Sequence, residues 1–372
     1  GGAGGSAWNG AAAGGSSYGS VTEPLDFGSG GAGGGGSGNG GSGGGRIILN
    51  ISGTLSLNGT ISSCGENGYI SSYGAGGGSG GSVYIVADMI EGSGSILANG
   101  GEGSDESNDG GGGGGGRIAV YTDNFGFSGN LEAKGNTGYS QGHGYGGSIY
   151  INSTGSFEPS STFLSNSTNS TRQGFILLNF PVTGGADTIS LYNNNPTFSQ
   201  IPWLTDSMNG GCQDGSDCTI YRVYANISGT HNYASLNVTD NSHIYPISNP
   251  HLNVTNNFTV DNNAAIYLSE DTEIDIGNNL LISQNSAINA SANLVNATIT
   301  ASSIDIYGTL HTNVNITTAN LTVYSSGTLS ADALGYPGGA PDSDGEGPGK
   351  GLHSNGGGGA GYGGAGGSAW YG

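Results

Sequence analysis

The chain is poor in positive charge. It carries 6 Lys and Arg against 27 Asp and Glu, a net charge of −21 over 372 residues. Binding a DNA or RNA backbone needs clustered Lys and Arg, so a nucleic-acid partner is excluded. An anionic membrane surface is excluded for the same reason. No stretch approaches the roughly 18 apolar residues of a membrane-crossing helix, so no transmembrane segment is expected. Only 10 prolines accompany 79 glycines, and glycine does not fall at every third position, which excludes a collagen triple helix. No segment shows helical periodicity. The chain begins at Gly1 with neither an initiator Met nor a signal peptide, which reads as a mature or excised portion of a longer product.

Cysteine is scarce too, at three residues. Cys212 and Cys218 bracket a five-residue loop, a spacing that predicts a local disulfide in a secreted protein. Cys64 is left over. It holds the slot occupied by Asn99 and Lys134 in sister repeats, an outward slot, and reads as a free thiol.

What is present is repetition. Gly80-Gly81-Ser82-Val83-Tyr84-Ile85 and Gly115-Gly116-Arg117-Ile118-Ala119-Val120 lie 35 positions apart. Ile61-Ser62-Ser63-Cys64-Gly65, Ile96-Leu97-Ala98-Asn99-Gly100 and Leu131-Glu132-Ala133-Lys134-Gly135 follow at the same shift of 35. Looser copies of the first strand stand at Gly45–Leu49 and Gly147–Ile151. A fixed period of this size marks a stacked fold, and period-two alternation of apolar and polar residues marks half-buried strands. A second, shorter period follows. Leu236-Asn237-Val238, Phe258-Thr259-Val260, Leu280-Leu281-Ile282, Ile304-Asp305-Ile306 and Leu321-Thr322-Val323 recur at 17 to 24 residues, about one coil of a parallel β-helix, with Asn and Gly in the turns.

The expected fold is therefore all-β, a parallel β-helix (β-solenoid) with glycine-rich loops and polyproline-II-like segments. Residues 1–152 hold the glycine-rich repeats, 153–235 an irregular insert with the cysteine loop, 236–332 the compact coils, and 333–372 a return to glycine. Gly363–Gly372 copies Gly1–Gly10 at a shift of 362, with Tyr371 in place of Asn9 as the one difference. Either the chain is one repeat of a tandem protein, or its two ends are equivalent surfaces joining copies head to tail. Gly1, Trp8, Trp370 and Gly372 mark that assembly element.

The clearest chemical signal is the Asn-X-Ser/Thr sequon. There are 13: Asn50, Asn58, Asn152, Asn166, Asn169, Asn226, Asn237, Asn253, Asn257, Asn289, Asn296, Asn315 and Asn320. Seven have an apolar middle residue, which in a strand points the Asn outward to receive a glycan. Acidic clusters at Glu102/Asp105/Glu106/Asp109, Glu270/Asp271/Glu273/Asp275 and Asp342/Asp344/Glu346 are oxygen-rich. They match no Ca²⁺-loop spacing, so a solvated acidic surface outweighs Ca²⁺ binding and no cofactor is expected. His143, His231, His243, His251, His311 and His353 form no metal-ligand spacing, and no nucleophile motif is present, so no enzyme is expected.

The unit Gly-Gly-[Arg/Ser]-[Ile/Val]-x-[Ile/Val] followed by Gly-x-[Ile/Leu]-x-Ala-x-Gly resembles large glycine-rich extracellular proteins of protists, plants and microbes. So do Tyr18-Gly19-Ser20, Pro24, Gly28–Gly31 and Leu334–Gly339. The resemblance covers about 1–152 and 327–372 and implies a β-solenoid surface domain with a secreted, structural role. Together these readings predict an N-glycosylated protomer or tandem repeat of an extracellular fibril or cell-surface appendage. Its partners would be copies of itself, head to tail. The alternative is an adhesin for extracellular polysaccharide, and a β-helix carbohydrate-active enzyme is more distant.

Overall fold

The computed structural model describes residues 13–34, 38–69, 74–104, 110–138, 142–154, 161–165, 167, 174–179, 217–221, 224–239, 242–268, 271–290, 292–353 and 357–362. Every regular element among them is a strand. No helix is long and apolar enough to cross a membrane.

A first run comprises β1 (Arg46–Leu57), β2 (Thr60–Ser62), β3 (Ser82–Gly92), β4 (Ser95–Leu97), β5 (Arg117–Phe127), β6 (Asn130–Glu132), β7 (Ser148–Ser153), β8 (Thr162–Leu164) and β9 (Phe175–Asn179). A second run comprises β10 (Asp217–Tyr221), β11 (Tyr224–Tyr233), β12 (Ser235–Thr239), β13 (His243–Val254), β14 (Phe258–Val260), β15 (Ala265–Leu268), β16 (Thr272–Ile276), β17 (Asn279–Ile282), β18 (Ala287–Ala290), β19 (Asn296–Ile306), β20 (Thr309–His311), β21 (Asn313–Val323) and β22 (Thr328–Ser330).

All pairings between these strands are parallel, and they form three ladders. The first runs β11, β13, β16, β19, β21, β1, β3, β5, β7, β9. The second starts at β10, β12, β14 and β17, then continues through the C-terminal halves of β19, β21, β1, β3 and β5. The third takes the starts of β11 and β13, then β15, β18, β20, β22, β2, β4, β6, β8. The sequence repeats set the registers. Ser82 faces Arg117, and Ile61, Ile96 and Leu131 face one another in turn. Leu236, Phe258, Leu280, Ile304 and Leu321 make one file, which continues into Leu55 of the first run.

Alternation buries one side of β1, β3, β19 and β21, and at the starts of β5 and β7 both sides are buried. Ile47, Leu49, Leu55, Leu57 and Ile61 of a single coil are fully buried. Each such burial is worth roughly 1.5–3 kcal/mol, and branched residues suit the pleat. Corners of the second run are turned by Asn262, Asn263 and Asn285 at positive φ, where asparagine is tolerated better than most residues.

The glycine segments between coils are ordered by hydrogen bonds whose direction repeats every third residue. Gly76 and Ser79 donate to Ala32 and Ser29; Gly77 and Gly80 donate to Gly111 and Gly114; Gly78 and Gly81 donate to Glu66 and Ser63. Three residues per turn is the period of polyproline II, whose backbone has no internal hydrogen bonds and must find them in neighbours. The neighbours come close. A Cβ on Gly78 would stand 1.9 Å from the carbonyl oxygen of Ser42, and one on Gly113 1.9 Å from that of Gly78.

Candidate functional site

The outward residues of the first ladder run in two files along the stack. One passes through Glu273, Thr298, Asn315, Ile48, Tyr84, Ala119 and Tyr150. The other passes through Asn253, Asp275, Thr300, Thr317, Asn50, Val86, Tyr121 and Asn152.

These files sort the predicted sequons. Asn50, Asn58, Asn257, Asn315 and Asn320 are exposed; Asn152, Asn237, Asn253, Asn289 and Asn296 are half-buried. Asn253 and Asn296, of the half-buried set, have their amide nitrogen engaged. Asn253 Nδ2 donates to Asn232 Oδ1 at 3.0 Å. Asn296 Nδ2 donates to Asp271 Oδ1 at 3.2 Å and the Leu294 carbonyl at 3.0 Å, and its Oδ1 accepts from Arg46. Asn226 is placed in β11 by its backbone. Asn166, Asn169, Cys212, Gly1, Trp8, Trp370 and Gly372 lie outside the described residues, and Cys218 is placed in β10 by its backbone.

Tyr84, Tyr121 and Tyr150 form an aromatic row with centroids 5.7 and 5.5 Å apart, the rings tilted or edge to face. Beside it an open recess is lined by Val86, Asp88, Tyr121, Asp123, Asn152 and Thr154. Tyr121 Oη donates to the Thr22 carbonyl, so the N-terminal segment crosses the row. Tyr150 is only 8% exposed.

Of the acidic clusters, Asp105, Glu106, Asp109 and Glu270 lie outside the described residues. Asp275 and Glu273 face His251 at 3.0 and 3.6 Å. Asp344 meets Lys350 at 3.1 Å and accepts from the His353 amide, which holds its carboxyl below the ordinary carboxylate range. Among the described residues no group of three or more His, Cys, Asp or Glu is disposed to hold a metal ion.

Two features escaped sequence reasoning. The first is the seam where the two runs meet, β21 on β1 and β22 on β2, between residues about 270 positions apart in the chain. Asn313 is fully buried there. Its Oδ1 accepts from the Arg46 amide at 2.8 Å, and its Nδ2 donates to the Val295 and Leu334 carbonyls at 3.0 Å each. Asp332 Oδ1 accepts from Ser62 Oγ at 2.5 Å and from the Cys64 amide. His311 Nδ1 lies 3.1 Å from Ser330 Oγ, and burial pushes its pKa below the usual histidine value.

Cys64 adjoins this cluster and is a free, half-exposed cysteine, like Asn99 and Lys134 in the slot expected for it. The slot itself is shared as the repeats predict, since the Asn99 amide donates to Cys64 Sγ and the Lys134 amide to Asn99 Oδ1. Ser62 Oγ donates to the sulfur at 3.4 Å, and burial, with the Asp332 carboxylate nearby, pushes the thiol pKa well above its ordinary range. Asp332 comes from the other run, so the repeat pattern carries no sign of it.

The second feature is Arg117, buried at the foot of β5. It donates twice to the Tyr18 carbonyl, at 2.7 and 3.0 Å, and once to Ser148 Oγ at 3.0 Å. Its guanidinium lies 5.6 Å from the Tyr362 ring, which meets the Tyr18 ring edge to face at 4.7 Å. One cation thus ties both terminal glycine segments to the stack.

No family model, curated protein or solved structure matches the chain.

Proposed function

We propose that the chain is a β-solenoid whose glycine segments form a polyproline-II bundle along one side. It serves as a secreted, N-glycosylated structural protomer or tandem repeat of an extracellular fibril. The observation that carries this reading is the uninterrupted first ladder of ten parallel strands, from β11 to β9. Among the described residues β9 pairs only with β7, and β11 only with β13, so each end of the stack presents a strand edge. Such edges template pairing with another chain. Stacked coils make a stiff rod. Glycans on the exposed asparagines would shield its sides and leave the ends for growth.

A carbohydrate-binding adhesin finds its support in the row Tyr84, Tyr121, Tyr150. It is the weaker reading, because tilted rings crossed by the N-terminal segment offer no flat face for stacking a sugar. The test is electron microscopy of the secreted protein with glycopeptide mass spectrometry. Long filaments with sugar on Asn50, Asn315 and Asn320 support the fibril. Unglycosylated single particles overturn it.

A further inference from the structure

Strand order along the first ladder is a circular permutation of chain order. The chain climbs the stack from β1 to β9. It then climbs the stack again, in the same direction, from β11 to β21, ending beneath its own β1. Thus β9 and β11 stand at opposite ends of the stack, nine rungs of about 4.8 Å or about 43 Å apart. Residues 180–216 join β9 to β10. Yet the face order is that of an unbroken coil. β9 lies in the first ladder, β10 in the second and the start of β11 in the third, as each turn of the second run requires. β10 and β11 are the strands that would complete the turn begun by β9 if the coil simply continued upward.

We propose that the seam forms between chains. β21 and β22 of one copy seat on β1 and β2 of the next, while β11 lies on β9 of its own copy. The partner is a second copy of this chain, in a heterologous contact that does not close. The proposal rests on the fibril reading and specifies its joint. A filament of closed copies stacked β9 on β11 would contain the same strand contacts. It differs from the proposed one only in which chain supplies each side of the seam.

The seam is built like a specific interface. Val314, Ile316 and Leu321 face Ile47, Leu49 and Leu55 in register. Across it the buried Asn313 accepts from the Arg46 amide, and the half-buried Asp332 accepts from Ser62 Oγ and the Cys64 amide. Those groups fix one register, because a slip would leave them buried and unpaired. The glycine bundle crosses the same junction. The Gly15 amide donates to Gly359 and the Tyr18 amide to Tyr362. Immediately outside these segments stand the two copies of the ten-residue repeat, at 1–10 and 363–372. Closure within one chain has an effective concentration of about millimolar order, so exchange between chains is favoured where copies are crowded or tethered.

The test uses Thr60 and Thr328, which face each other across the seam in β2 and β22. Thr60→Cys and Thr328→Cys are placed in separate full-length chains, co-secreted, assembled and oxidised. Parallel neighbours lie within disulfide reach. The expected result is a disulfide-linked dimer in filaments of the mixture and a ladder of higher species in filaments of the double variant. Neither should appear in the parent chain with its three cysteines. Filaments in which the mixture stays monomeric, while the double variant links only within chains, overturn the joint and leave the fibril reading standing. Absence of filaments overturns both. A second variant guards against a folding defect. Replacing residues 180–216 by six Gly and Ser residues leaves a link reaching at most about 21 Å, too short for the closed chain. That variant should assemble without a folded monomer. A folded monomer, or a chain that neither folds nor assembles, contradicts the proposal.

Discussion

A single added methyl group distinguishes two kinds of glycine in this chain. At Gly78 and Gly113 a Cβ would meet a carbonyl oxygen at 1.9 Å, whereas at Gly126, on the outer face of β5, the nearest atom is 3.6 Å away. Gly78→Ala and Gly113→Ala should each cost about 2 kcal/mol or more, because backbone on both sides must move. Gly126→Ala should be neutral or stabilising by a few tenths of a kcal/mol. Urea unfolding of the three variants checks the contrast. The same scale governs the sequons. Glycopeptide mapping should find Asn315 and Asn320 occupied. Asn296 should be bare, because its amide nitrogen already serves Asp271 and the Leu294 carbonyl. At Cys64 the raised thiol pKa predicts slower reaction with a thiol reagent at pH 8 in the native protein than in denaturant.

Elements were legible in the sequence where they repeat. Ser82–Ile85 and Arg117–Val120 stack as their 35-residue shift requires, and the five apolar triplets of the second run form one file. The seam was not legible. Leu321 on Leu55 looks like any other step of that file, and nothing in a period states that the last coil lies beneath the first. Polyproline-II-like glycine segments were expected, but the neighbour that each glycine amide meets was hidden, since a run of glycines has no pattern to read.

The seam makes its own prediction. His311, in β20 beside β22, has a folded pKa below its unfolded value near 6.5, because burial disfavours the charged ring. The unfolded chain therefore binds the extra proton first. Stability is full above about pH 6.5 and falls as pH drops toward the folded pKa. Melting temperature should decline from pH 7 to pH 5, and His311→Gln should flatten that decline. Arg117→Leu leaves the part-buried Tyr18 carbonyl without its donor, at a cost of roughly 1 kcal/mol or more. It should also free residues 13–26 for early cleavage in limited proteolysis.

At the scale of the whole molecule, three parallel ladders and a glycine bundle share one axis, and their strands lie across it. In the proposed rod, stiffness would come from the core that continues from strand to strand and from side-by-side glycine segments that a single Cβ would separate. In the proposed fibril, the net charge of −21 would keep neighbouring rods apart sideways and leave the ladder ends to pair. In the proposed fibril this chain is the axial unit. Cryo-electron microscopy of native filaments is the decisive measurement. The expected result is strands stacked at about 4.8 Å along the axis and a longer axial repeat near 48 Å, ten rungs, for each copy. Discrete particles, or filaments whose strands run along the axis, would contradict it.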